Sequence, residues 1–179
     1  MKQSIKISVK FLFVMTLLLG LLYPLSMTGV GQVVFSNQVN GQLIEKNGEV
    51  VGSKLLGQSW TGPEYLHGRP QEVSQLSPVS TEQKELVSKR IKERQAIEER
   101  EDKVPSELVL ASASGLDPDI SLEAAYYQVP RIAKERQVTE ELVNGIINEH
   151  TTGFDNVLLS NQKVNVLLVN LALDEIEEN

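Results

Sequence analysis

Apolar residues run from Phe11 to Val30 without a charge, the longest such stretch in the chain. About 20 such residues at 1.5 Å rise cross the hydrocarbon core of a bilayer, so residues 11–31 read as a single transmembrane helix. Lys2, Lys6 and Lys10 precede it, and no basic residue follows until Lys46. The positive-inside rule therefore puts residues 1–10 in the cytoplasm and residues 32–179 outside. A cleaved signal peptide is the competing reading. The run is longer than a usual signal core and no small-x-small cleavage site follows it, which favours a retained anchor. Pro24 falls inside the run, a place where membrane helices tolerate proline.

Beyond the anchor the apolar runs shorten. Gln42-Leu43-Ile44 and Val50-Val51-Gly52 flank Glu45-Lys46-Asn47-Gly48-Glu49, and Asn-Gly between apolar runs predicts a hairpin. Gly41, Gly48, Gly52, Gly57, Gly62 and Gly68 recur through the next segment. Their spacing matches neither a P-loop nor a dinucleotide fingerprint, so they read as turns. Residues 71–79, with Pro78, read as a loop. Ser80 and Gln83 form a capping box opening a helix over 81–101. Its stripe of Leu86, Val87, Ile91 and Ile97 is thin, and its many charges suit a solvated face. Residues 104–110 read as a short strand.

The chain is organised around the turn at 111–121. Gly115 is free to take a positive φ, and Pro118 pushes Asp117 out of the helical region. Asp117, Asp119 and Ser121 carry oxygens able to accept from the free N–H groups of a helix start. Leu122, Ala125, Tyr126, Val129, Ile132 and Ala133 follow at the spacing of one buried helical face, with a kink or restart expected at Pro130. Thr139 is the expected N-cap of a helix burying Leu142, Val143, Ile146 and Ile147, with His150 at its C-terminal end. Residues 164–173 are apolar on both faces at period two and read as a central strand. Asn165 and Asn170 would fall on its opposite faces, each needing hydrogen-bond partners. The acidic end, 174–179, reads as solvated. The fold class expected is α+β: one transmembrane helix followed by one small mixed domain.

Composition narrows the chemistry. The 179 residues are 41% hydrophobic and 23% charged, enough for one ordinary domain plus a short extra element. The absence of cysteine excludes disulfides and thiolate sites. A net charge of -7 with no basic stripe argues against nucleic acid. His67 and His150 are the only histidines, too few for a multi-histidine metal site. Trp60, Tyr65, His67 and Arg69 share one aromatic loop, either an interaction surface or a loop pinned onto the core. An anchored hydrolase would draw on Ser112 or Ser114, His67 or His150, and Asp117, but no nucleophile-elbow pattern is present. A binding module for an envelope ligand is a third reading.

Several of these stretches, in order, resemble the C chain of the bacterial Kdp potassium-transporting ATPase. The resemblance covers almost the whole chain: Tyr23-Pro24, the segments 40–44, 52–58 and 65–70, the organising turn, Gln128-Val129-Pro130-Arg131, and 164–174. It marks Asn40, Gly41, Gly52, Ser53, Gly57, Gln58, Arg69 and Pro70 as structural or assembly positions. Ser112, Ser114, Gly115, Asp117, Pro118, Ser121, Gln128, Arg131, Asn165 and Asn170 complete that set. The family's turn usually reads Thr-Ala-Ser-Gly-Ser-Gly-Leu-Asp-Pro-His-Ile, whereas Leu110, Ala113 and Asp119 stand here for its Thr, first Gly and His. The family's Ser-Gly-Gly-Ser-Asn segment is replaced here by residues 71–80. The resemblance implies a non-catalytic accessory subunit of a high-affinity, ATP-driven potassium importer. Its partners would be the A chain with the ion pathway, the ATP-hydrolysing B chain and the small F chain. The family role is that of a catalytic chaperone raising the B chain's affinity for ATP. No cofactor or metal of its own is implied; ATP enters through the complex. The charge pattern places the domain across the membrane from cytoplasmic ATP, which favours assembly and allosteric stabilisation.

Overall fold

The computed structural model describes residues 2–73, 75–153, 155, 156, 159, 160 and 162–177. The chain forms two compact units, residues 1–43 and 44–179.

The first unit is dominated by one helical stretch, Lys2–Val34, long and apolar enough to cross a membrane. It comprises α1 (Lys2–Leu17), a π-helical turn (Leu18–Leu22) and α2 (Tyr23–Val34). Proline at position 24 explains the wide turn. Its ring displaces the carbonyl four residues back, at Gly20, and it has no N–H to offer. The ladder accordingly slips by one residue, and the Tyr23 N–H donates to the Leu18 carbonyl. Ser26 Oγ donates to the Leu22 carbonyl at 2.8 Å, satisfying an acceptor in the loosened turn. The helix extends past the expected span of 11–31 at both ends. Phe35 ends it, and a single turn, α3 (Ser36–Val39), follows.

In the second unit β1 (Leu43–Lys46) and β2 (Glu49–Ser53) form the expected hairpin, turning at Asn47-Gly48. Among the described residues of 54–80 there is no helix or strand. α4 (Thr81–Ile97) begins where the sequence predicts, with Ser80 Oγ accepting from the Gln83 N–H at 3.2 Å. It stops before 101 because Glu99 turns left-handed, at φ 51°. Residues 104–110 are not a strand. Pro105 opens a short 3₁₀ turn, Ser106–Leu108, that drops Leu108 into the core.

After the organising turn come β3 (Asp119–Ser121) and α5 (Leu122–Tyr126), with Ser121 Oγ capping the helix through the Ala124 N–H at 3.3 Å. The restart expected at Pro130 is present: α6 (Val129–Arg136) carries that proline in its first turn. α7 (Glu140–Glu149) is capped by Thr139, whose Oγ1 accepts from the Leu142 N–H at 3.3 Å. Val143, Ile146 and Ile147 are buried as expected, but Leu142 is 44% exposed. The short strands β4 (Thr151–Thr152), β5 (Asp155–Asn156), β6 (Leu159–Ser160) and β7 (Lys163–Asn165) lead to α8 (Val166–Glu177). β7 is the centre of a three-stranded antiparallel sheet in the order β3-β7-β4, with Val164 opposite both Ile120 and Thr151; β5 pairs with β6. Helices plus small antiparallel sheets make the unit α+β, as expected.

The central strand over 164–173 is the main correction. Only Lys163–Asn165 is strand; the rest is α8. Asn165 is the hinge: its Oδ1 accepts from the Leu168 N–H at 3.2 Å, an N-cap bond, while its Nδ2 donates to the Lys54 carbonyl and to Asp119. Val166, Leu167, Val169, Asn170 and Leu173 then bury one helical face against Ile120, Ile132, Ile147 and Val164. The acidic end is also not wholly solvated, since Asp174 pairs with the buried Arg136 at 2.8 Å. Glu178 and Asn179 lie outside the described residues.

Candidate functional site

The loop from Gly62 to Pro70 pairs with no strand among the described residues, yet Leu66 and His67 in it are buried. Buried peptide groups need partners, and here side chains supply them. Asn170, on α8, accepts from the Leu66 N–H at 2.8 Å and donates to the Leu66 carbonyl at 2.9 Å. Gln128, between α5 and α6, treats His67 the same way, at 2.9 Å for both bonds. Each amide stands in for the peptide unit of a neighbouring strand. Arg131 donates to the Pro63 and Tyr65 carbonyls and to Gln128 Oε1, and Arg136 reaches the Glu64 carbonyl at 2.8 Å.

The organising turn is fastened to the same loop by Arg69. Its Nη2 lies 2.6 Å from Glu107 Oε1 and its Nε 3.2 Å from Asp117 Oδ2. Glu107 Oε2 accepts from the Ser121 N–H at 2.6 Å, and Asp117 Oδ1 from the Asp119 N–H at 3.2 Å. Ser121, rather than Asp117, caps the helix; Asp117 braces the turn. Ser112 and Ser114 hold the turn locally, accepting from the Gly115 and Leu116 N–H groups at 2.9 and 3.1 Å. Gly115 sits at φ 71°, where a Cβ would be strained. Gly57 donates to the Leu116 carbonyl at 2.9 Å, and a Cβ there would lie 2.6 Å from the Asp117 carbonyl oxygen. Pro118 presents its carbonyl to the Val166 N–H at 3.1 Å.

Gln58 ties the segment back to the hairpin through the Val51 carbonyl at 3.0 Å, passing close to Gly52. Ser53 Oγ accepts from the Leu55 N–H at 3.1 Å. Asn40 and Gly41 stand apart in the first unit, where Asn40 Nδ2 donates to the Ser36 carbonyl at 2.7 Å. Of the positions singled out by sequence, Arg69, Asp117 and Ser121 are joined through Glu107 and the organising turn, and Gln128, Arg131 and Asn170 hold the loop at 62–67, whereas Ser53, Ser112 and Ser114 make local bonds.

A cavity of about 240 Å³ opens beside Arg69 and Pro70, walled by Trp60, His67, Arg90 and Arg94. Three guanidiniums line it, but each has a counter-charge or an acceptor. Arg90 meets Glu72 at 2.6 Å and the Val109 carbonyl at 3.0 Å. Arg94 and Arg131 share the buried Glu98, at 3.7 and 3.1 Å. His67 is held at both ring nitrogens, Nε2 by the Gly62 carbonyl at 2.8 Å and Nδ1 by Arg94 Nη1 at 2.8 Å. That pattern requires a neutral ring with its proton on Nε2. Burial, and then the positive charge of Arg131, push the His67 pKa down to about 4. Trp60 packs at 4.7 Å from Tyr65 within the loop and also lies against the core, which pins the aromatic loop onto the domain.

The groups weighed for hydrolysis are therefore engaged elsewhere. The serine hydroxyls serve the turn, and the His67 ring serves Gly62 and Arg94. The His150 Nδ1 is bonded to the Ile146 carbonyl at 2.9 Å. Glu98, Glu107, Arg94 and Arg136 are the network members that sequence reasoning missed. Their only trace in sequence is a charge falling on an otherwise core-facing stretch, as Glu107 does beside Leu108.

The family described as K+-transporting ATPase, c chain, matches residues 5–175. A potassium-transporting ATPase KdpC subunit of Acidobacterium capsulatum is 44% identical, covering 97% of this chain and 99% of its own length. Proteins of the same name from Clostridium perfringens and Rhodopseudomonas palustris are 41% and 39% identical, each over 97% of this chain and 98% of their own length.

Proposed function

The chain belongs to the family of K+-transporting ATPase c chains, and from that premise we propose that it is a non-catalytic, single-span subunit of a potassium-importing complex. The observation that carries this reading is the extent of the match, residues 5–175, which takes in the apolar helix as well as the domain. The helix anchors the chain with its lysine-flanked end in the cytoplasm and the domain outside. The partners are the A, B and F chains of the complex. The subunit stabilises their assembly and raises the ATP affinity of the hydrolysing B chain without touching the nucleotide. The interlocked polar network suits a rigid brace: its histidine, serines and arginines are all committed to holding loops. The backbone of Glu72 and Val73 lies beside the organising turn, Glu72 at 3.1 Å from the position of a Cβ on Gly115.

Allostery of this kind is reciprocal: whatever factor the subunit adds to ATP affinity, ATP adds to the affinity for the subunit. Couplings of about 1–3 kcal/mol make that a several-fold or larger tightening. In sealed vesicles carrying the complex, the second unit added alone from the cytoplasmic side should leave ATP affinity unchanged. The full chain in the complex should take no label from a photoreactive ATP. A crosslink within residues 44–179, competed by unlabelled ATP, would refute the allosteric reading.

A further inference from the structure

α8 is apolar on more than one face, and the core uses only one of them. Val166, Leu167, Val169, Asn170 and Leu173 are under 10% exposed. Leu168 and Leu171 lie off that face and are only half-buried, and Ala172 and Ile176, at the edge of the core, are left half-buried as well. With Leu142, Gly145 and Ile146 of α7 they line an open groove of about 630 Å³. A helix hydrophobic all round is normally buried all round, so the second face is unfinished in the isolated chain. The rim is of one sign. Glu141, Glu149 and Glu175 border the groove, all exposed, and no lysine or arginine lines it; His150 closes one end.

We infer that the α7–α8 groove is a docking site for an amphipathic helix of another chain of the complex, one whose apolar anchors are flanked by Lys or Arg. This rests on the subunit reading above. A groove between two helices receives a third through anchors at i, i+3, i+4 and i+7 spacing. The three rim carboxylates select a cationic flank and disfavour two other occupants. A second copy of this chain would bring three more carboxylates against them, and anionic lipid headgroups would be repelled. The floor is also permissive. A Cβ built on Gly145 meets nothing within 4 Å, so the α7 wall has room for a larger side chain at that position.

That gap provides the probe. Gly145→Trp fills the groove without entering the core, and Glu149→Lys reverses rim charge at a helix C-terminus, where a cation is tolerated. Each is made in the full chain, tagged, and purified with its complex from native membranes. The thermal unfolding midpoint of the chain is recorded to confirm folding. A photoreactive residue in place of Leu171, in the otherwise unaltered complex, maps the occupant. The expected result is at least about tenfold weaker retention of partner chains with Gly145→Trp at an unchanged midpoint, the scale of one blocked anchor. Glu149→Lys should weaken retention and reduce its sensitivity to salt. The crosslinked peptide should belong to a partner chain and carry apolar residues beside Lys or Arg. Crosslinks to a second copy, to lipid or to this chain's own N-terminal unit would overturn the inference, as would wild-type retention with Gly145→Trp. If no partner chain co-purifies even with the unaltered protein, the subunit reading itself fails, and the docking site with it.

Discussion

Asn170 and Gln128 each give a strandless loop the two hydrogen bonds that a sheet would give it, and the energetic stake sits in what is left when one is removed. Asn170→Leu keeps the size of the side chain but strands the Leu66 N–H and carbonyl in the core. Each unsatisfied buried group costs about 1–3 kcal/mol, so the loss should be large against a total stability of about 5–15 kcal/mol. Denaturant unfolding of the detergent-solubilised chain measures it; a cost below about 1 kcal/mol would show that water or relaxation replaces the clamp. His67 adds a pH dependence whose sign is fixed by its depressed pKa. Folded, it resists protonation until about pH 4; unfolded, it takes a proton near 6.5. The unfolded state therefore binds more protons between those values, and stability is full above about 6.5 and falls as pH drops toward 4. The neutral ring faces Arg94 and Arg131, with Glu98 beyond them, so His67→Gln should flatten that slope while keeping a donor and an acceptor in place. A slope unchanged in the variant would assign the acid sensitivity to other groups.

Among elements, those with a local start signal were the legible ones. Ser80, Ser121 and Thr139 each announce a helix by a hydroxyl that accepts from the N–H three residues on, and all three helices begin there. The organising turn was legible for the same reason, since its serine, glycine and Asp-Pro chemistry acts over two or three residues. Asp117→Ala should accordingly lower stability by about 0.5–2 kcal/mol, the range of a local side-chain brace, and leave potassium uptake by the assembled complex intact. Abolished uptake at unchanged stability would make Asp117 a functional contact instead. α8 was illegible because residues 164–173 are apolar at every period, leaving length and the cap at Asn165 to separate helix from strand. Asn165→Ala tests that cap: it should cost about 1–2 kcal/mol, within the range for Asn caps, with helical signal lost before sheet signal on mild heating. The clamps were illegible for another reason. Their partners lie 61 and 104 residues away, and neither spacing nor composition points from an asparagine to a distant peptide group.

For the molecule as a whole, the lysines at one end of the apolar helix make a single sharp prediction. Protease added to intact spheroplasts should digest residues beyond the helix, and protection until lysis would reverse the proposed topology. The clamps have a further consequence, in time rather than space. A ribosome makes a chain from its N-terminal side, and Arg94, Gln128, Arg131, Arg136 and Asn170, which hold the loop at 62–67, are all made after it. Leu66 waits for Asn170, 104 residues later, which at about 5–20 residues per second is about 5–20 s. Gln128 reaches His67 sooner, 61 residues after it, but for that interval the Leu66 peptide group lacks the Asn170 clamp. Nascent chains stalled before Asn170 should therefore stay open to protease throughout 44–165, and protection should arrive in one step once α8 has emerged. α8 is then what closes the loop at 62–67, and a copy cut short before it is exposed to quality control rather than offered to the complex.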